Sequence, residues 1–207
     1  MAYCKSVKGS KTMSFPEKKT EILKQYPKEV ILKDGTGVTF RLTREDDEQK
    51  ILEMFQRFSE EDRWFLDEDV SNRKLINSRI KEINRGRFNS IVAQLEDRII
   101  AFGLLTKEHY GSQRHIGTII ICVDPRFREN RLGTWILLDL INLAMEMGLE
   151  KLMMSLVRDR DALVIRGIKS LDFFEEARFR EHVKDMDGQP HDLVVMTKRL
   201  FPKWGDF

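Results

Sequence analysis

The sequence predicts an α+β fold: a single domain in which helices flank a mixed but mostly antiparallel central sheet. Runs rich in β-branched and apolar residues follow one another between positions 90 and 123, as consecutive antiparallel strands do. Segments with apolar residues at helical spacing lie on both sides of these runs. A length of 207 residues fits one domain of this kind with short terminal segments.

The first part of the chain predicts a tail, a hairpin and two helices. Residues 1–27 are rich in Lys, Ser and Thr without a sustained period, which predicts a flexible or loosely docked segment before a domain at 28–200. The predicted elements are strands at 29–32 and 38–42 and helices at 44–58 and 71–85. Asp34-Gly35 marks the turn between the strands, because Asp-Gly tolerates positive φ. The acidic and aromatic segment 59–70 is a candidate wall of a substrate entrance.

The second part predicts most of the sheet. The elements are strands at 90–95, 99–106 and 116–123, a helix at 132–147, a strand at 151–157, a helix at 162–177 and a closing hairpin of strands at 179–184 and 193–198. The helix at 132–147 is apolar almost all round, so we expect it to be packed on nearly every side. Its narrow polar stripe consists of Asp139, Asn142 and Glu146. Residues 201–207 form a short predicted tail.

Composition excludes several classes of protein. Lys and Arg number 36 against 34 Asp and Glu, so the net charge of +2 gives no reason to expect nucleic acid as a partner. The longest apolar run, residues 119–123, is far too short to cross a bilayer, and no apolar stretch follows the basic amino-terminal residues. We therefore expect neither membrane insertion nor secretion.

The cysteines and histidines predict no disulfide framework and no metal site. Cys4 lies in a polar segment and Cys122 in an apolar run, a poor arrangement for a disulfide, so we expect a reducing, cytoplasmic setting. The four histidines fall at no metal-ligand spacing, and no HExxH motif accompanies them. We predict no structural metal.

The segment 123–141 carries the strongest functional signal, because a buried strand passes through a basic turn directly into an apolar helix. The unpaired amides of a first helical turn point towards such a turn, and the helix dipole adds positive potential. Gly133 has no Cβ, so a ligand can approach the backbone closely. Three arginines face two carboxylates in this segment: Arg126, Arg128 and Arg131 against Asp124 and Glu129. The pattern predicts a pyrophosphate site, although the same combination also occurs by chance in proteins that bind no anion.

This segment, and the order of elements over about residues 30–200, resemble the GNAT superfamily of N-acyltransferases. The family's loop reads Arg or Gln, two residues, Gly, one residue, then Gly or Ala. Arg128, Arg131 and Gly133 occupy its three key places, so that an arginine replaces the first glycine. The resemblance implies that splayed central strands form a cleft for acetyl-CoA. The implied coenzyme A-binding residues are Cys122, Val123, Arg128, Glu129, Asn130, Arg131, Leu132, Gly133, Thr134 and Phe174.

Two further segments carry the resemblance. The closing residues 173–179, FFEEARF, look like the family's run of an aromatic residue, two polar residues, a hydrophobic residue, Gly and Phe. In this alignment Phe174 stands where family members often carry a Tyr that protonates the leaving thiolate, and Arg178 replaces the glycine. The opening residues 33–65 are more similar to the acyltransferase domains that modify protein lysines in bacteria, which implies a lysine as one candidate acceptor.

The general base is not evident from the sequence. Acyl transfer requires a neutral amine, and the strand position where lysine-modifying relatives commonly carry a Glu base holds Thr118. Candidates near the predicted cleft are Glu108, His109, His115 and Asp124. Cys122 is a poor candidate nucleophile, because a mid-strand Cys is usually a small buried hydrophobe and no His is spaced to activate it.

Three functions remain open. The first is transfer of an acetyl group from acetyl-CoA to a protein lysine or a small amine, by an enzyme whose candidate assembly is a homodimer. The second is a module that binds acyl-CoA without turnover, since Thr118 and Phe174 stand where catalytic groups often lie. The third, an unrelated binder of nucleotide phosphates, is disfavoured because the sequence has no GxGxxG motif and no GKS or GKT loop.

Overall fold

Eight strands form one open sheet in this protein, whose computed structural model describes residues 24–66, 68–84 and 88–200. The strands are β1 Lys28–Ile31, β2 Gly37–Leu42, β3 Phe88–Leu95, β4 Arg98–Lys107, β5 Ile116–Val123, β6 Lys151–Val157, β7 Phe174–Lys184 and β8 Pro190–Arg199. The α-helices of these residues are α1 Glu48–Gln56, α2 Glu60–Trp64, α3 Arg73–Asn84, α4 Leu132–Glu146 and α5 Ala162–Lys169. None of them has the length and apolar character of a membrane span. Most of the predicted segment 1–27 and the tail 201–207 lie outside the described residues.

The sheet is mixed but mostly antiparallel, as the sequence predicts, and its strand order is β1-β2-β3-β4-β5-β6-β8-β7. Strands β5 and β6 are parallel, since the chain crosses between them through α4. Their pairing runs only from Ile116 opposite Lys151 to Thr118 opposite Met153. Beyond this point the two strands diverge, which confirms the predicted splay of the central strands.

Helices cover both faces of the sheet around β5. On one face α4 packs against β4 and β5, and Gly103 permits its close approach, since a Cβ there would lie 2.3 Å from Ile136 Cγ2. On the other face α1 and α3 contribute Phe55 and Ile80 to a buried cluster that includes Cys122. Side chains alternate along a strand, so β5 sends Cys122 to the α1 and α3 face and its neighbours to the α4 face.

The helix predicted at 44–58 is divided in two. A 3-10 turn at Glu45–Asp47 precedes α1, and the side chain of Asp47 is buried. Arg41 donates two hydrogen bonds of 2.7 Å to the Asp47 carboxylate, one from each terminal guanidinium nitrogen. Asp47 therefore forms a buried bidentate pair that fixes the start of α1 against β2.

One residue of the polar stripe predicted on α4, Asp139, is buried and not exposed to solvent. Asp139 is 5% exposed and accepts hydrogen bonds of 2.6 Å from the ammonium of Lys28 and from the hydroxyl of Tyr26. Burial and the neighbouring carboxylate raise the pKa of Tyr26 far above its usual value, so its hydroxyl remains a donor. Tyr26 lies within the predicted segment 1–27, and the folded core therefore includes this residue.

The helix predicted at 162–177 is wrong in its second half. Helix α5 ends at Lys169, and the chain then passes through Asp172, whose φ is 62°, to the buried side chain of Phe173. Residues 174–177 belong to β7, where Phe174 lies opposite Thr197 of β8. The apolar spacing of this segment is compatible with either element, and pairing with a distant strand decides in favour of β7.

Candidate functional site

A cleft opens where β5 and β6 diverge, and it is lined by most of the residues predicted to bind coenzyme A. Those lining it are Cys122, Val123, Arg128, Glu129, Arg131, Leu132, Gly133 and Thr134. Asn130 and Phe174 do not line it: Asn130 donates to Asp34 Oδ2 at 3.0 Å, and Phe174 lies at the start of β7. The cleft volume of 1990 Å³ exceeds that of a typical single-ligand pocket, roughly 300–1,000 Å³. The cleft is therefore larger than one small ligand requires.

The loop between β5 and α4 adopts a backbone that glycine normally provides. Glu129 and Arg131 have φ values of 64° and 62°, and Arg131 is the N-cap of α4. An L-residue in this left-handed region carries a strain of roughly 1–2 kcal/mol. Arg131 thus has a backbone conformation that glycine adopts without strain, at the place where the family's loop has a glycine. This turn leaves the first amides of α4 directed at the cleft, where they and the helix dipole favour an anion.

Gly133 keeps space open beside these amides. A Cβ built on Gly133 would lie 3.5 Å from Val123 Cγ2 and 3.9 Å from Ile121 Cγ2, which are ordinary van der Waals contacts. The protein itself therefore does not require a glycine at this position. The free space lies on the α4 side of β5 and borders the cleft, so it is available to a ligand that approaches the helix terminus.

A carboxylate and two guanidinium groups meet on the opposite side of β5. Arg128 Nη2 donates to Asp62 Oδ2 at 2.9 Å, and Arg160 Nη2 donates to Asp62 Oδ1 at 2.8 Å. Each guanidinium also lies over a phenyl ring, Arg128 at 5.4 Å from the centroid of Phe58 and Arg160 at 5.1 Å from that of Phe65. Burial alone would raise the pKa of Asp62, but the two arginines outweigh burial and lower it. We call these three charged residues the Asp62 cluster.

The segment 59–70 lines the cleft, as the sequence suggests, through Asp62, Trp64, Phe65 and neighbouring residues. Its position is set by contacts with the far side of the cleft. Trp64 Nε1 donates to the carbonyl of Lys184 at 2.7 Å, and the ring of Phe65 meets His191 edge-on at 6.0 Å. Helix α2 therefore bridges the divergence of β5 and β6 and touches the hairpin of β7 and β8.

Comparison with known proteins agrees with this geometry. Residues 46–166 match the model of a family described as the acetyltransferase (GNAT) family. The chain belongs to this family. The matched range extends from α1 into α5 and so includes the splayed strands, the loop before α4 and the Asp62 cluster. A search of curated proteins found none that matches the chain.

Solved structures share the GNAT fold of this protein at low sequence identity. The GNAT-family acetyltransferase of Streptococcus pneumoniae is 18% identical, with a TM-score of 0.70 over 79% of this chain and 99% of the other. The ribosomal-protein-S18-alanine N-acetyltransferase of Escherichia coli is 20% identical, with a TM-score of 0.63 over 82% and 98%. A Salmonella typhimurium protein solved with its cofactor acetyl-CoA is 17% identical, with a TM-score of 0.69 over 79% and 94%.

The candidate general bases of this GNAT protein are dispersed. Glu108 and His109 line the cleft from the exposed end of β4, whereas His115 does not line it. Asp124 is fully buried, and its carboxylate accepts hydrogen bonds from Arg57 Nε at 2.5 Å and from the Arg126 amide at 3.1 Å. Burial favours a higher pKa for Asp124, but these hydrogen bonds outweigh it and lower the pKa. Asp124 is therefore an ionised anchor of the loop outside the cleft lining.

The sequence pattern does not predict Asp62 or Arg160 as site residues. A weak signal existed for Asp62, because it lies in the acidic and aromatic segment that we assigned to a substrate entrance. Arg160 follows β6 as Arg128 follows β5, and the ends of adjacent parallel strands meet at one edge of a sheet. That relation becomes visible only when β5 and β6 are known to be neighbours.

Cys122 is expected to be dispensable for chemistry in this GNAT site. Its side chain is 6% exposed, and burial raises the pKa of the thiol to about 12 although Arg128 and Arg160 oppose the shift. Such a thiol stays protonated near neutral pH and is a poor nucleophile. Cys122→Ala is therefore expected to keep any acetyl-transfer rate within about tenfold of wild type, measured as release of free coenzyme A. Complete loss of turnover in a folded Cys122→Ala protein would instead assign this thiol a chemical role.

Proposed function

We propose that this GNAT protein transfers an acetyl group from acetyl-CoA to a primary amine, by direct attack of the amine on the thioester. The observation that carries the proposal is the left-handed Arg131 at the N-cap of α4, beside Gly133 and the divergence of β5 and β6. These features fit the two requirements of acetyl-CoA, an anion site for its pyrophosphate and a gap in the sheet that admits its thioester arm.

The residues proposed to hold acetyl-CoA are those of the loop and the end of β5. Backbone amides of Glu129 and of residues 131–134 would bind the pyrophosphate, with Arg131 adding charge. The amides of β5 beyond Thr118 have no β6 partner in the pairing of the two strands. One of them, near Cys122 or Val123, would polarise the thioester carbonyl. Arg128 contributes through its backbone, since its guanidinium is directed to Asp62 on the other side of the strand.

The proposed reaction exchanges a carbon–sulfur bond for a carbon–nitrogen bond and, in total, replaces an N–H bond with an S–H bond. The amine nitrogen forms a bond to the carbonyl carbon, the carbon–sulfur bond breaks, the amine loses a proton and the departing thiolate gains one. Glu108 and His109 are the cleft-lining candidates for accepting the proton, directly or through water. A thiol pKa of roughly 8.5 permits departure with a proton from water.

A shift in register explains why Phe174 is poorly placed for coenzyme A. The family's closing run has a glycine before its final Phe. In this chain Asp172 has a left-handed backbone, which favours glycine, and it precedes the buried Phe173. We infer that the run aligns with residues 168–173, which places buried Ile168 where the family's Tyr often stands. Neither Ile168 nor Phe174 can donate a proton, so the proposal assigns thiolate protonation to solvent in either register.

A protein lysine is one acceptor consistent with the proposal, supported by the likeness of residues 33–65 to domains that modify lysines. A second candidate function is a sensor that binds acyl-CoA without turnover. Thr118 favours it, because this side chain lines the cleft at the place where a Glu base commonly lies in those relatives.

A measurement of turnover distinguishes the acetyltransferase from the sensor. The purified protein would be incubated with acetyl-CoA and a panel of lysine peptides and small amines, while free thiol is followed. We expect amine-dependent thiol release with an equal amount of acetylated amine. If acetyl-CoA raises the melting temperature and no amine is acetylated, the sensor function holds. If acetyl-CoA neither binds nor reacts, both functions are excluded.

A further inference from the structure

The Asp62 cluster is a two-arginine site that already contains a carboxylate. Arg128 follows β5 and Arg160 follows β6, so the two guanidinium groups approach from either side of the divergence between these strands. Both donate to the same carboxylate, at 2.9 Å and 2.8 Å. The planar fork of arginine matches the geometry of a carboxylate, and such charge-assisted hydrogen bonds are strong. The cluster therefore shows that a carboxylate fits between these arginines.

The cluster lies on the opposite side of β5 from the proposed phosphate site. Arg128 lies over the ring of Phe58, which packs with Cys122 in the cluster formed by α1 and α3. Gly133 and the start of α4 lie against Val123 and Ile121, whose side chains point to the other face. Binding of coenzyme A at the amides of α4 therefore does not involve the guanidinium groups of Arg128 and Arg160.

The charge balance of the cluster allows one carboxylate to replace another. Arg160 also pairs with Asp161 at 3.0 Å, so two guanidinium groups meet two carboxylates in the wall of the cleft, and a ligand carboxylate that takes the place of Asp62 keeps this balance. The side chains of Arg128 and Arg160 retain 42% and 29% exposure, so an incoming ligand can reach them. Asp62 is carried by α2, a helix of five residues of which none is buried. Moving Asp62 aside therefore uncovers little apolar surface.

We propose that the acceptor carries a carboxylate close to its amine, and that Arg128 and Arg160 bind this carboxylate in place of Asp62. The inference rests on the proposed acetyl transfer and names the class of acceptor: an amino acid, or a peptide segment with a carboxylate beside the reactive amine. The arginines hold the carboxylate on the α1 and α3 side of β5, and the amine is thereby presented to a thioester held in the gap between β5 and β6. Arg128 and Arg160 act in binding and positioning.

Matched pairs of amines test the proposal with the full chain and acetyl-CoA. L-lysine would be compared with 1,5-diaminopentane, and L-phenylalanine with 2-phenylethylamine, because the members of each pair differ in the carboxylate. A lysine peptide with a neighbouring glutamate, compared with its glutamine counterpart, distinguishes a peptide source from a free amino acid. We expect kcat/KM to be at least about tenfold higher for the carboxylate member of the preferred pair. Equal values in every pair would overturn the proposal.

Arg160→Gln should remove this preference selectively. We expect kcat/KM for the carboxylate-bearing amine to fall about tenfold or more, mainly through KM, while the value for its partner without a carboxylate stays within about twofold. Arg158→Gln is the matched control, because the Arg158 guanidinium is directed to Glu175 and does not line the cleft. An equal fall for both amines in Arg160→Gln would show that the cluster only fastens α2, and would overturn the proposal.

The carboxylate site can be tested even if the protein acetylates no amine. If no amine is acetylated, the proposed function fails, and the carboxylate site is judged by the melting temperature in the presence of coenzyme A. The amino acid should then raise this temperature for wild type and Arg158→Gln but not for Arg160→Gln. The same shift in all three proteins, or in none, would reject the site.

Discussion

Replacing Arg131 with valine is expected to weaken acetyl-CoA binding about thirtyfold, equivalent to about 2 kcal/mol. The reason is the backbone, since Arg131 has a φ of 62° at the N-cap of α4 and a β-branched side chain is a genuine outlier there. The loop would relax from this conformation and turn the first amides of α4 away from the cleft. Titration calorimetry with acetyl-CoA measures the loss, and thermal unfolding shows whether the fold persists.

Two further variants separate the backbone of Arg131 from its charge. Arg131→Gly removes the charge and accepts the left-handed conformation without strain, so its affinity is expected to stay within about threefold of wild type. Arg126→Val removes a neighbouring positive charge at a residue that has no positive φ, and should also bind normally. If Arg131→Gly loses as much affinity as Arg131→Val, the positive charge of the arginine carries the binding and the backbone argument is wrong.

The loop before α4 shows what the sequence can and cannot predict. The succession of buried strand, basic turn and apolar helix is a local pattern, and the structure has the predicted strand, loop and helix in this order as β5, the loop and α4. The missing glycine at Arg131 suggested a modified site. The φ of 62° shows that Arg131 adopts a backbone conformation that favours glycine. Propensity disfavours arginine in this region, so only the structure reveals that the surrounding fold imposes it.

Contacts between distant segments explain most of what the sequence missed. Asp62 meets Arg128 and Arg160 across sequence separations of 66 and 98 residues, and no local pattern encodes such a meeting. Asp124 is a reasonable candidate base from the sequence, because it ends a strand near the predicted cleft. Its partner Arg57 is 67 residues away, so no local pattern indicates that the carboxylate is paired. Sequence patterns therefore located the cleft, whereas the ionic partners that define its chemistry depend on the packing of α1 and α2 onto the sheet.

The predicted boundary between α5 and β7 is wrong for a different reason. Asp172 ends the helical segment in a left-handed conformation, a place where glycine would have marked the stop in the sequence. Without that signal, the polar and apolar spacing of residues 170–177 continues the helical pattern. The register of β7 against β8, with Phe174 opposite Thr197, overrides the local preference. The same missing signal accounts for the difference of several residues between the register that the sequence predicts for the family's closing run and the register that we infer.

Asp124→Ala is expected to lower the free energy of unfolding by about 3 kcal/mol, the low end for a broken buried ion pair. The Asp124 carboxylate is fully buried, and its removal leaves the guanidinium of Arg57 without its partner and the Arg126 amide without its acceptor. The side chain of Arg57 keeps 23% exposure, which moderates the loss. Hydrogen bonds lower the pKa of Asp124 in the folded state, so its contribution is complete above the unfolded pKa of about 3.9 and is lost as the pH falls below it.

Urea unfolding at neutral pH and near pH 3 measures both effects. Wild type is expected to lose stability on acidification by more than Asp124→Ala does, because the variant has already lost the pair. Asp97→Ala is the matched control: Asp97 pairs with Lys50 on the surface, its side chain is 88% exposed, and its removal should change stability by less than about 1 kcal/mol. Unchanged stability together with loss of amine acetylation in Asp124→Ala would make Asp124 a participant in the reaction. The burial of its carboxylate and its pairing with Arg57 favour the structural role.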